Sequence, residues 1–298
     1  MITVIGSINL DLIATVERLP KPGETVPGAG FSSAPGGKGA NQALAARRAG
    51  SRVRMVGAVG NDAFAEQALA LLKKDGVDLA AVRSADTATG VAMILVEAAG
   101  ENVIAVIPGS NGTVSASDVS GAKLSAGDHA LFQLEVPLDA VEAGLAAARK
   151  AGAVSLLNTA PFRADAAHLL AEADYVIANE TEFDLYAAAL SLTGDGREAQ
   201  MVDFVRRTGR VIVVTLGADG VLAAAPDGVF RADGLAITPV DTVGAGDTFC
   251  GYFAAGLEGG LDLQGALRRS AVAGSLACLK PGAQPSIPLA AEVDDALA

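Results

Sequence analysis

Short runs rich in Val, Ile and Leu alternate along this chain with Ala- and Leu-rich stretches of helical length, and no other feature constrains the fold as strongly. Residues 2–5, 53–59, 130–133, 154–157, 175–178 and 211–215 read as strands, apolar almost throughout, as strands buried on both faces are. Residues 39–49, 63–75, 138–151, 180–190 and 198–208 supply helices between them. Strand, helix and strand in succession predict an α/β fold with a doubly wound, mostly parallel sheet flanked by helices. Two further helices, 244–257 and 263–280, follow; the loop Pro281-Gly282-Ala283-Gln284-Pro285-Ser286 then leads into a last short one.

Two stretches break this rhythm. Residues 11–34 alternate in character and carry Pro-Gly turns, while 90–96 and 102–107 flank 97–101 as a hairpin would. Together, 11–34 and 90–107 predict a small β-sheet lid over a main α/β domain made of 1–10, 35–89 and 108–298. Such a lid has a free strand edge and an apolar underside, so two lids are expected to pair in a homodimer.

Charge narrows the function. With 22 basic and 34 acidic residues the formal charge is −12, which opposes nucleic-acid and anionic membrane surfaces as partners. A small anion remains compatible, because backbone N–H groups and a bound cation supply local positive potential. Cys250 and Cys278 lie in apolar helical stretches and the chain opens directly on a strand, so a cytoplasmic protein with packed, reduced thiols is expected. His129 and His168 join no ligand cluster.

The chemistry concentrates where glycine turns enter helices. In Asp241-Thr242-Val243-Gly244-Ala245-Gly246-Asp247-Thr248, small residues let backbone N–H groups face an anion at the positive end of a helix. Asp247 beside such an anion hole fits the task of taking a proton from an alcohol nucleophile; the competing reading is a helix cap. In Gly36-Gly37-Lys38-Gly39-Ala40-Asn41-Gln42, Gly37 admits a ligand to the backbone, Lys38 offers donors, and the Asn41 amide can both give and accept a hydrogen bond. This is no Walker A loop, since spacing and Ser/Thr are missing. Asn9 and Asp11 alternate onto one side of the segment after the first strand, where a neutral polyol suits them. Glu135 follows another strand end. Asn179 and Glu182, three apart at a helix start, either hold the water shell of Mg²⁺ near phosphates or form a capping box. Thr215, Gly217 and Gly220 end a further strand where a nucleotide can lie, or mark a strand-to-hairpin turn.

Taken together and in order, these segments, with Pro22-Gly23-Glu24-Thr25, Gly100-Glu101-Asn102-Val103-Ile104 and the 282–286 loop, resemble the ribokinase-like (PfkB) sugar kinase family over residues 6–288. The resemblance implies an ATP-dependent kinase acting on a sugar, most closely on the primary hydroxyl of D-ribose, with fructose, deoxyribose or adenosine as alternatives and a non-catalytic sugar sensor as a more distant one. It implies that Asn9, Asp11, Gly37, Lys38, Asn41 and Glu135 contact sugar, and that Asp247 is the base beside an anion hole at Gly244, Ala245 and Gly246. It places ATP along Thr215, Gly217 and the last helices, with Asn179 and Glu182 near Mg²⁺. It implies a K⁺ ion among Asp241, Val243, Ala277, Lys280, Gly282 and Ser286. The chain departs from the family pattern near Ala271, where only small and apolar residues stand in place of a polar adenine neighbour, and at Thr159 in place of Pro. Phe31 and Phe162 are the aromatic candidates for a nucleoside pocket.

Overall fold

The computed structural model describes residues 1–97 and 101–298. Its strands are β1 (Ile2–Ile5), β2 (Asn9–Val16), β3 (Gly28–Gly36), β4 (Val53–Gly60), β5 (Asp78–Ala85), β6 (Gly90–Glu97), β7 (Asn102–Ile107), β8 (His129–Phe132), β9 (Val154–Asn158), β10 (Tyr175–Asn179), β11 (Val211–Thr215), β12 (Val221–Ala225) and β13 (Gly228–Ala232). The helices are α1 (Lys38–Arg48), α2 (Ala63–Ala68), α3 (Ala70–Asp75), α4 (Ala116–Gly121), α5 (Leu138–Ala151), α6 (Glu180–Ala189), α7 (Arg197–Thr208), α8 (Ala245–Glu258), α9 (Leu263–Ala277), α10 (Ala283–Ser286) and α11 (Ala290–Leu297).

Nine strands form the main sheet in the order β13-β12-β11-β10-β9-β8-β1-β4-β5, parallel from β5 to β11 and antiparallel through the β12–β13 hairpin. Period-2 geometry divides the core into two layers. Val4, Leu131, Leu156, Ile177 and Val213 face one cluster with Leu44, Phe253 and Leu267 of α1, α8 and α9. Their neighbours Ile5, Phe132, Leu157, Val176 and Ile212 face the other, with Val141, Tyr186 and Phe204 of α5, α6 and α7. The doubly wound α/β fold expected from the alternating runs is the fold observed.

The second sheet has four strands in the order β3-β2-β6-β7. It includes Asn9, Leu10, Pro35 and Gly36, two residues more on each side than the 11–34 expected from sequence. The β6–β7 hairpin forms as expected, while its tip and Gly100 lie outside the described residues. The helix expected over 63–75 is two helices, broken at Leu69, and the helix expected to reach Lys280 ends at Ala277. β5 and the β12–β13 hairpin were not among the expected strands. Among the described residues no helix is long and apolar enough to cross a membrane.

The chain builds outward from β1 to β4 and β5, then returns to place β8 on the other side of β1. The carboxyl ends of β1 and β8 therefore mark the topological switch point, the place in an open α/β sheet where a crevice opens for ligand.

Candidate active site

The segments after β1 and β8 meet at that crevice. Ser7 Oγ donates to Glu135 Oε2 at 2.5 Å, and the Lys38 backbone N–H donates to the same oxygen at 3.1 Å, so Glu135 is pinned at the start of α1. Gly37, with φ of 88°, precedes that helix; a Cβ on it would lie 2.7 Å from Asn9 N, so the turn admits only glycine. Asn9 is buried, its Oδ1 accepting from Asn111 Nδ2 at 2.7 Å. Asn111 also clasps the Ile8 backbone from both sides, donating to its carbonyl at 3.1 Å and accepting from its N–H at 2.8 Å. Asn111 was not a sequence candidate: an isolated Asn after the hairpin carries no periodic signal.

Helix α8 brings the second half of the site. Gly244 takes the left-handed conformation at φ 78° and packs so closely on the 282–286 loop that a Cβ would lie 2.8 Å from Ala283 Cα. The Ala245 N–H already points at Thr242 O, at 3.3 Å, whereas those of Gly246 and Asp247 have no acceptor among the described residues. Of the three residues expected to form an anion hole, Gly246 therefore offers the open donor, with Asp247 N–H beside it. A Cβ on Gly246 would meet nothing within 4 Å, so no neighbouring atom of the fold explains the glycine.

Asp247 is buried, and both carboxylate oxygens are held: Oδ2 by Asn41 Nδ2 at 2.8 Å and Oδ1 by Gln42 Nε2 at 2.9 Å. It lines a cleft with Lys38, Asn179, Glu182, Thr215, Gly244 and Gly246. Three acidic side chains bear on Lys38 there. Burial opposes the Lys38 charge, yet Asp247, Glu135 and Glu182 outweigh it and hold its pKa above the ordinary lysine value. The Asp11 pKa is raised as well, but there the charged form is the one disfavoured: burial first, then the Glu135 and Asp247 charges, push it up to about 6.

Asn179 and Glu182 form the capping box, with Asn179 Oδ1 accepting from Glu182 N at 2.8 Å and Glu182 Oε2 accepting from Asn179 N at 3.1 Å. Capping spends one glutamate oxygen. Oε1 accepts no bond from the described residues, and burial raises the Glu182 pKa, so a cation beside it would relieve an unfavourable state. Gly217 and Gly220 do not reach the cleft lining. Gly220 is needed where β12 begins, since a Cβ would lie 2.3 Å from Ala232 O.

Asp241 ties two loops together, accepting from Val243 N at 3.0 Å and Gly282 N at 2.8 Å. The carbonyls of Val243, Lys280 and Gly282 accept nothing from the described residues, a set of hard oxygens suited to a monovalent cation. Ser286 Oγ donates to Ala283 O, Lys280 N–H approaches Ala277 O at 3.4 Å, and the Lys280 ammonium turns outward to Glu292. Ser270, beside Ala271, spends its hydroxyl on Ala266 O, so α9 presents no free polar side chain there. Thr159 caps nothing new; its hydroxyl bonds Ile177 O and lies 3.5 Å from Glu182. Phe162 packs edge-on against Tyr186 and Phe31 is 73% exposed, so neither lines the cleft.

The model of the pfkB family of carbohydrate kinases matches residues 1–290. The ribokinase of Schizosaccharomyces pombe is 36% identical over 98% of this chain and 96% of its own. A crystal structure of ribokinase from Thermotoga maritima covers 99% of this chain and 98% of its own with a TM-score of 0.90 at 28% identity. Arabidopsis thaliana ribokinase, solved with ribose and ATP, covers the same shares with a TM-score of 0.87 at 29% identity.

Proposed function

The chain belongs to the pfkB family of carbohydrate kinases and is a sugar kinase; from that premise we propose that it transfers the γ-phosphoryl group of ATP to the primary hydroxyl of D-ribose, giving D-ribose 5-phosphate. The observation that carries the reading is Asp247 itself: a buried carboxylate, held by two amides, at the start of a helix whose Gly246 and Asp247 N–H groups stand open.

Asn9, Asp11, Gly37, Lys38, Asn41 and Glu135 hold the sugar hydroxyls, the carboxylates accepting and the amides and ammonium donating. Asp247 accepts the proton of the primary hydroxyl through a lone pair that Asn41 and Gln42 leave free, making the oxygen a nucleophile in line with the γ-phosphorus. The Gly246 and Asp247 N–H groups, with Gly244 setting the turn and Ala245 completing it, stabilise charge on the transferring group. ATP lies along Thr215 and the 217–220 turn, its adenine held by packing against small residues near Ala271 rather than by a polar side chain. Asn179 and Glu182 suit a hydrated Mg²⁺, which when bound offsets phosphate charge. Asp241, Val243, Ala277, Lys280, Gly282 and Ser286 surround the K⁺ position, where the ion braces the loop that carries Gly244.

The four-stranded sheet is a lid whose closure excludes water, and it is also the homodimer interface. Met93, Val103, Ile104 and Val106 on β6 and β7 are each at least half exposed, and β7 has a free edge. Two free thiols suit a reducing cytoplasm. The test is ADP release from MgATP with D-ribose, D-fructose, 2-deoxyribose, adenosine or no acceptor, in K⁺ and in Na⁺. Ribose-dependent turnover raised by K⁺ is expected; preference for another acceptor reassigns the sugar, and none on any acceptor refutes the kinase.

A further inference from the structure

Asp247 and the cleft-lining Asn158 are both bonded to a chain of buried amides. Gln42 Nε2 donates to Asp247 Oδ1 at 2.9 Å and to Asn158 Oδ1 at 3.1 Å. Gln133 Nε2 donates to Gln42 Oε1 at 2.6 Å. Gln42 and Gln133 are both fully buried and neither is part of the cleft wall. They come from α1 and from the end of β8, so only the fold brings them together.

The polarity of this chain follows from its chemistry. An ionised carboxylate only accepts, so Gln42 must turn its NH₂ toward Asp247 and its oxygen toward Gln133. Gln133 must then turn its NH₂ toward Gln42. Asn158 agrees from the third side: its Nδ2 is committed to Ile177 O at 3.2 Å, leaving its oxygen toward Gln42. The arrangement has an unfavourable side, because Gln133 Oε1 is buried without a partner among the described residues. Gly6 makes room for it, since a Cβ there would lie 1.9 Å from that oxygen.

We propose that Gln42 and Gln133 are positioning residues for the phosphoryl-transfer reaction, a two-amide relay that fixes the plane of the Asp247 carboxylate. The proposal rests on Asp247 being the base. Asn41 and Gln42 each occupy one lone pair of one oxygen, leaving the remaining pairs to face substrate. A charge-assisted N–H donor to a carboxylate is short and directional, and the relay keeps one of them aimed.

The experiment compares wild type, Gln133→Met, Gln133→Glu and Asp247→Asn, with kcat, both KM values and Tm measured across the pH range. In Gln133→Met, Gln42 loses the donor that orients it. Its kcat should fall about tenfold with both KM values within about twofold, the effect of weakening one charge-assisted hydrogen bond. Gln133→Glu is near-isosteric and carries the test alone if the Met variant does not fold. Protonated, the new carboxyl donates to Gln42 Oε1 and preserves the relay; ionised, it turns the Gln42 amide around. Its kcat should therefore fall with rising pH, relative to wild type. A wild-type pH profile in Gln133→Glu overturns the relay, as does a loss of kcat in either variant that only follows Tm. Inactive Asp247→Asn beside wild-type-like Gln133 variants overturns the relay alone, whereas an active Asp247→Asn overturns the base on which it rests.

Discussion

Replacing Asp11 with Asn removes a carboxylate that the fold holds at a disadvantage. Its oxygens pack so closely on Gly36 that a Cβ there would lie 2.4 Å from each, and burial, then Glu135 and Asp247, push its pKa from the ordinary 3.8 to about 6. A carboxyl whose pKa is higher in the folded than in the unfolded chain binds its proton more tightly when folded. Stability from this group is thus present below pH 3.8 and is lost as pH rises to about 6. The rise corresponds to about 3 kcal/mol, so Asp11→Asn should be more stable than wild type by about that amount near pH 8 and equal to it near pH 3.5. In a chain of this length that is about 6 °C in Tm. Scanning fluorimetry of both proteins at several pH values reads Asp11 together with its coupling to Glu135 and Asp247, because groups that do not interact with it cancel in the difference. If Asp11 holds sugar as proposed, the same variant should also raise the KM for sugar. An Asn variant that melts below wild type at pH 8, or differs from it equally at both ends, would refute the reasoning.

Other outcomes follow from the same geometry. Gly244→Ala forces a side chain into the left-handed region and against Ala283; it should cost about 1–3 kcal/mol in stability and lower kcat, read by melting and turnover. Glu182→Gln keeps an acceptor for Asn179 N but loses a charge that burial disfavours, so Tm should not fall while the Mg²⁺ concentration for half-maximal rate rises; a large fall in Tm with unchanged Mg²⁺ dependence would leave Glu182 as a cap alone. Val106→Asp on β7 should shift the size-exclusion mass from about twice 29.7 kDa to that of one chain, and a wild-type monomer would refute the lid-to-lid dimer.

The fold was legible because its central strands are buried on both faces, which makes each a short apolar run such as Val4 and Ile5 in β1 or Val213 and Val214 in β11. β5 was not, because as an edge strand it carries Asp78, Arg83 and Ser84 and loses that signature. The β12–β13 hairpin hides in Ala-rich sequence that reads equally as helix. The candidate site residues stand at strand ends and helix starts, where glycine, Asn and acidic residues are conspicuous. Gln133, Asn158 and Asn111 stand in similar places without a turn motif, and their partners lie 91, 116 and 102 positions away. Only the assembled sheet shows whom they face. Asn179 and Glu182 illustrate a third case, since their spacing permits both a cap and a cation site and the cap leaves one oxygen over.

The central claim is that Asp247 takes the proton from the sugar hydroxyl, and the most direct measurement is ribose-dependent ADP release by Asp247→Asn beside wild type at saturating MgATP. Asn is isosteric and leaves the backbone N–H groups of positions 246 and 247 in place, so ATP affinity should stay near that of wild type while turnover falls by about two or more decades. Turnover close to wild type would contradict the claim.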